Sequence, residues 1–257
     1  MSVARQEPER EREGEGKNLT ILEHLQELRN RLMICGAALV LGMIVSFYPI
    51  TSWVLHWLKK PAESKVANFD LVFTQPLEYW TTFFRVSLMV GITLAMPVFV
   101  WQGLAFVGPG LTRGEKRWAY PIVIGASAMF VAGCAFAYYV ELPPALNFLL
   151  DAGDVARPLI SVRSYVDFTT RLMLVTGLVF ETPLLVMGLA KIGIVNSRTL
   201  LGWWRFAIVG AFLISAIVTP SIDPITQTLV ALPMIVLYFF GIALAKLVEK
   251  SPIIPRV

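Results

Sequence analysis

The chain has 257 residues, 56% of them hydrophobic and only 16% charged, and its mean hydropathy is +0.66. Soluble globular chains run about 45–50% apolar and about 25% charged. These proportions argue against a water-soluble enzyme and indicate an integral membrane protein with room for about six or seven helical spans of roughly 20 residues. The net charge of +4 then reads as a topology signal rather than a nucleic-acid signal.

Residues 1–18 mix five acids (Glu7, Glu9, Glu11, Glu13, Glu15) with four bases (Arg5, Arg10, Arg12, Lys17) and have almost no apolar side chains. They are expected to form a disordered charged tail. A cleavable leader would need an apolar stretch there, and the segment has none. One transmembrane domain is expected over residues 19–247, with a short tail over 248–257. Thr20-Ile-Leu-Glu23 matches a capping box, which starts a helix. That helix places Ile21, Leu25, Leu28 and Leu32 on one stripe and Glu23 and Glu27 on another. Glu27 and Arg31 stand four apart in the favourable order, worth about 0.2–0.5 kcal/mol. The helix either lies on the bilayer surface and leads into the first span, or turns Glu27 towards a ligand.

Six apolar spans follow: about Leu32 to Ile50, Phe83 to Val107, Tyr120 to Leu142, Leu172 to Leu189, Phe206 to Val218 and Ile225 to Ala245. Residues 51–81 and 143–165 are long enough to form a cap on one side. Between spans two and three, Pro109-Gly-Leu-Thr112-Arg-Gly-Glu115 ends one helix and offers a second capping box. There Glu115 either caps the next helix or docks a cation. Glu181 lies ten residues from both Arg171 and Lys191, near the middle of the hydrocarbon, about 15 Å from each. A charge at that depth costs about 2.5–3.5 kcal/mol and normally faces a bundle interior or a wet cavity. The bland alternative is a protonated carboxyl bonded to a neighbouring helix. Pro183, two residues on, can kink the helix. Span five is 13 residues, about 20 Å, and the part of span six beyond Leu229 is about 25 Å, against a hydrocarbon layer of about 30 Å. Both final spans are therefore expected to be short. Thr219, Asp223 and Gln227 cluster where they join, with Pro220 and Pro224 fixing the turn. Asp223 suits a helix cap, and Gln227 suits a contact with another helix.

An even number of spans puts both termini on one side. Fifteen Lys and Arg fall on that side, five on the other, and Arg85 and Arg171 sit at span edges. The excess marks the side of the termini as cytoplasmic. Two cysteines and two histidines (His24, His56) make no disulfide framework and no metal site. No G-x-S-x-G, H-E-x-x-H or P-loop pattern occurs, so neither catalysis nor a cofactor is expected.

Several of these segments, in order and spacing, resemble the TatC family, the multispanning core subunit of the twin-arginine protein translocase. They are His24-Leu25-Gln26-Glu27-Leu28-Arg29-Asn30-Arg31-Leu32, Phe106-Val-Gly-Pro109-Gly-Leu-Thr-Arg-Gly-Glu115, Phe180-Glu181-Thr-Pro183, and Thr219-Pro220-Ser-Ile-Asp223-Pro224-Ile-Thr-Gln227 leading to Ala231-Leu-Pro233. The resemblance covers about residues 20–245. It implies an all-α bundle of six transmembrane helices, concave, with both ends cytoplasmic in a bacterial-type inner membrane. It also implies recognition of twin-arginine signal peptides on folded cargo, at positions matching Glu27 and Glu115 with Phe106 nearby. His24, Leu28 and Arg29 belong to the same motif. Glu181 matches the family's intramembrane acid, and Thr219 and Gln227 match positions that contact a partner helix. The implied partners are TatA and TatB type single-span subunits and further copies of the chain, in the lipid bilayer. One feature departs from many relatives: Leu237-Tyr238 is followed by Phe239 instead of an acid. The rival expectation from the residues alone is a proton-coupled small-molecule transporter with Glu181 as proton carrier. The absence of an internal repeat and of further buried charged residues is expected to weigh against it.

Overall fold

A computed structural model of the chain describes residues 21–63, 75–107, 119–151, 161–191, 193–219 and 224–249. Both tails, the capping residues Thr20 and Thr112, and Pro109, Glu115, Pro220 and Asp223 lie outside the described residues. The described residues form helices and no strand. In chain order these are α1 (Ile21–Ser46), α2 (Pro49–Glu63), α3 (Glu78–Val107), α4 (Ala119–Phe136), a π-helical segment (Ala137–Glu141), α5 (Leu142–Asp151), α6 (Val162–Phe180), α7 (Thr182–Lys191), α8 (Ser197–Gly202), α9 (Trp204–Val218) and α10 (Pro224–Glu249).

Five stretches are long and apolar enough to cross a bilayer: Leu22–Ser46, Glu78–Phe106, Tyr120–Leu149, Val162–Lys191 and Pro224–Glu249. The sixth, α9, has 15 residues, about 22 Å of helix, and is short as expected. The expectation for the last span is corrected. α10 runs unbroken for 26 residues, about 39 Å, with Pro233 inside it. Proline removes only the hydrogen bond to the Leu229 carbonyl, and transmembrane helices tolerate that loss, so counting the span only from Leu229 made it too short. Other boundaries also moved. The surface stretch and the first span are one continuous helix, α1. Span four begins at Val162, ten residues earlier than its apolar run, because Asp167 inside it is paired with Arg85 of α3 and with Arg171 at 3.3 Å.

Small residues set the helix crossings. Gly42 of α1 lies against Gly91 of α3, where an added Cβ would stand 2.8 Å from the Gly91 carbonyl oxygen. One turn along, Ser46 Oγ and Ser87 Oγ are 3.3 Å apart. Gly133 of α4 faces Gly177 of α6 in the same way, at 2.8 Å from the Gly177 Cα. With lipid outside, such close approach is what drives helix association. The principal core runs between α2, α3, α4, α6 and α10, with Leu58, Val86, Phe130, Leu142, Val166 and Leu172 fully buried.

α2 caps the end of the bundle opposite the start of α1. Its carbonyls at Trp57 and Leu58 accept hydrogen bonds from Tyr138 Oη (2.8 Å) and Tyr165 Oη (2.7 Å), and the Trp57 ring stacks on Tyr138 at 3.6 Å. Glu78, buried at the start of α3, accepts from the Gln75 N–H at 3.1 Å and from the Arg163 N–H at 2.8 Å. One carboxylate thus satisfies the first turns of two helices.

Candidate functional site

The first two turns of α1 meet the last turn of α3 at one end of the bundle. The expected Glu27–Arg31 pair is present: Arg31 Nε and Nη2 both donate to Glu27 Oε1, at 3.0 and 2.5 Å. The same guanidinium reaches α3, where Nη1 donates to Gln102 Oε1 at 3.1 Å and Nη2 to the Ala105 carbonyl at 2.9 Å. On the other side of Glu27, Oε2 faces His24 Nδ1 at 3.8 Å. The His24 ring stacks on Phe106 with centroids 4.3 Å apart and planes 23° apart. The fold therefore brings His24, Glu27 and Phe106 together. Leu28 and Arg29 of the same turn are exposed. Glu23, Gln26, Glu27, Asn30, Arg31, Ile34 and Gln102 line an open cleft of about 470 Å³. The chain leaves α3 at Val107 and returns at Ala119, and the Trp101 and Tyr120 rings stand 5.4 Å apart. The segment carrying Glu115 thus joins two helix ends that lie together, one of which is bound by Arg31.

The second feature is the break at Glu181. Residue 181 separates α6 from α7, its N–H donates to the Leu178 and Val179 carbonyls, and its own carbonyl accepts from the Leu185 N–H at 2.9 Å. Pro183 has no N–H for the Val179 carbonyl, so the expected kink is there and Glu181 marks it. The side chain is buried, and its Oε1 has no hydrogen-bond partner. At the far end of the short helix, Thr219 is buried with Oγ1 donating to the Ser215 carbonyl at 3.0 Å. Gln227 does contact another helix, but one of its own chain: Nε2 donates to the Phe212 carbonyl of α9 at 2.9 Å. Ser215 Oγ donates to the Gln227 carbonyl at 2.6 Å.

Sequence reasoning missed Glu141. It is fully buried in the π-helical segment and accepts from Thr176 Oγ1 of α6 at 2.8 Å, while its Oε1 has no partner. It lies at the end of an apolar run, beside Pro143-Pro144, and in the structure α5 continues the helix past it. Arg31 was read only as the mate of Glu27, since nothing local shows that it also reaches α3. Among the described residues, no three His, Cys, Asp or Glu side chains gather as a metal ion would need.

The family model for the Sec-independent protein translocase protein (TatC) matches residues 23–233. The chain belongs to the TatC family. TatC relatives include the chloroplastic protein of Arabidopsis thaliana, 38% identical over 95% of this chain and 71% of that protein, and the Synechocystis protein, 38% identical over 90% of each. The Aquifex aeolicus TatC protein is 35% identical over 91% of this chain and 97% of its own length. A crystal structure of a twin-arginine translocase receptor, TatC, superposes with a TM-score of 0.80 at 36% identity, covering 88% of this chain and 99% of that one. As a TatC chain it is a multi-pass membrane subunit of a Sec-independent, twin-arginine protein translocase, and so a transport component. A small-molecule transporter is not favoured.

Proposed function

We propose that this TatC chain binds the paired arginines of signal peptides on folded cargo, using Glu27 and Glu115, and serves as the platform on which single-span subunits assemble. One observation carries the first half. Glu27 is held at the rim of an open cleft with Oε1 taken by Arg31 and Oε2 turned towards His24. A peptide guanidinium arriving there meets a carboxylate oxygen and the side-chain amides of Gln26 and Asn30. Arginine suits such a set because its planar fork carries five donors, whereas lysine offers a compact point charge. Hydrogen bonds to charged groups are worth about 1.5–3 kcal/mol each, enough to favour paired arginines over paired lysines.

The Lys and Arg count supports a cytoplasmic position for this face, with both termini on that side. His24 and Phe106 frame the site, and Leu28 and Arg29 present the exposed flank of the same turn. Glu181, Thr219 and Gln227 belong to the platform. The buried acid at the α6–α7 break and the short α9 together suit a docked partner helix of the TatA or TatB type, with further copies of this chain completing the receptor complex.

Site-specific photocrosslinking from residue 115, with arginine-pair and lysine-pair versions of one signal peptide, tests the recognition half. Strong crosslinking to the arginine form, lost on Glu115→Lys, is expected; equal crosslinking of both forms to both proteins would overturn it.

A further inference from the structure

We propose that Arg31 is a specificity-determining positioning residue for Glu27: it orients the carboxylate so that the site accepts a guanidinium and rejects an ammonium. The proposal deepens the reading of Glu27 as a peptide-arginine acceptor and rests on it.

Arg31 is a half-buried side chain whose guanidinium makes four hydrogen bonds, two to Glu27 Oε1 and two to acceptors on α3. Gln102 and Ala105 are 71 and 74 residues away in sequence, so these bonds fix the guanidinium relative to the bundle and not merely to its own helix. With the guanidinium anchored, Glu27 cannot rotate without losing two bonds to a charged donor. Its Oε1 is consumed and Oε2 is left at a defined point on the cleft wall. A fixed acceptor recognises a ligand that brings several rigidly spaced donors, because the other donors then fall on neighbouring acceptors at known places. A swinging carboxylate would instead follow whichever cation arrived, and a lysine ammonium with three donors on a flexible stem would be accepted nearly as well.

Charge does not contradict this role. Arg31 is a cation beside the site of an incoming cation, but Glu23 and Glu27 both line the cleft, so its wall carries one more negative than positive formal charge once Arg31 is counted. Arg31 also holds α1 against α3 at the point where the chain enters the segment carrying Glu115.

The experiment measures binding of a fluorescent signal peptide, in arginine-pair and lysine-pair forms, to the full chain in nanodiscs. Wild type is compared with Glu27→Gln, Arg31→Lys and Gln102→Leu, and the thermal unfolding midpoint of each is recorded. Arg31→Lys keeps the charge but cannot bridge Glu27, Gln102 and Ala105 together. We expect it to weaken the arginine-pair peptide about tenfold, on the order of one charged hydrogen bond, and to leave the lysine-pair peptide nearly unchanged, so that the preference between the two collapses. Gln102→Leu removes one α3 acceptor without touching α1 and should shift the preference in the same direction by a smaller factor, about two- to threefold. A purely structural role would lower both affinities together and leave their ratio intact; that result overturns the proposal, as does tighter arginine binding in Arg31→Lys, which would make Arg31 a competitor for Glu27. Unchanged binding in Glu27→Gln would instead overturn the placement of the peptide arginine at Glu27 itself.

Discussion

Gly42→Ala adds one methyl group at the crossing of α1 and α3, and the structure leaves no room for it. The new Cβ would stand 2.8 Å from the Gly91 carbonyl oxygen and 3.2 Å from its Cα. Carbon–oxygen contacts between packed helices settle at about 3.3–3.6 Å, and the atoms in the way are backbone inside a hydrogen-bonded helix. The helices must therefore part by roughly 0.5 Å, at an overpacking cost of about 1–3 kcal/mol. The strain reaches the proposed site. Arg31 lies eleven residues earlier on α1, about 16 Å along the axis, and its Nη2 is 2.9 Å from the Ala105 carbonyl of α3. A parallel shift of about 0.5 Å would stretch that bond to about 3.4 Å, beyond the usual 2.7–3.2 Å range. Thermal unfolding of the purified protein in detergent should show a midpoint lowered by roughly 2–10 °C, and crosslinking of a signal peptide should weaken with it. Gly36→Ala on α1 and Gly103→Ala on α3 are the controls, because a Cβ at either meets nothing within 4 Å. Alanine favours a helix over glycine by up to about 1 kcal/mol, so both should be neutral or slightly stabilising. If Gly42→Ala is as stable as Gly36→Ala, the close crossing is not what holds α1 to α3.

Three further outcomes follow from named contacts. Tyr165→Phe removes the hydrogen bond to the Leu58 carbonyl, worth about 0.5–1.5 kcal/mol, and hydrogen exchange should quicken in the amides of α2 while those of α1 stay protected. Glu181→Leu removes a buried oxygen that has no hydrogen-bond partner; the unfolding midpoint should rise, by the equivalent of about 1–3 kcal/mol, while transport of folded cargo into vesicles falls. A lower midpoint would mean that the carboxyl is satisfied in the folded protein. Gln227→Leu loses the bond to the Phe212 carbonyl and should destabilise by about 0.6–1.7 kcal/mol; with Ser215→Ala, which removes a bond across the same pair of helices, the two losses should be non-additive in a double-mutant cycle.

What the sequence makes legible here is what local chemistry determines. The apolar runs locate the five long spans and the shorter α9 to within a few residues at most ends, because hydropathy acts over one helix at a time. The Glu27–Arg31 pair follows from a four-residue spacing, and the break at Glu181 from Pro183 two positions later. The misses need knowledge of a second helix. Span four looked as though it began after Arg171 because a charged pair four residues apart reads as an interface; the ion pair with Arg85, on a helix that starts 84 residues earlier, lets the helix begin at Val162. Nothing local singles out Glu78, whose bond to the Arg163 N–H joins residues 85 apart. Glu141 failed for the same reason: its mate Thr176 is on α6, and the helix that buries it runs on through two prolines.

These long-range ties also bear on why the proposed sites stand where they do. A polar group with no water around it must find its partner within the protein or lose several kcal/mol. Several polar side chains of this bundle have done so in ties that join two helices: Glu78 to the start of α6, Asp167 to Arg85 on α3, Gln227 to α9, Ser46 to Ser87. Glu141 keeps one oxygen on Thr176. Glu181 differs in that its unpartnered oxygen sits at a break, where Pro183 has already taken one link out of the helix ladder. In the proposed platform, the unpartnered Oε1 beside the α6–α7 break is hydrogen-bonding capacity open to a group from a docked partner. A partner helix docking beside α6 and α7 can supply that group, and the stability gained by Glu181→Leu at the expense of transport would be the measure of what is held in reserve.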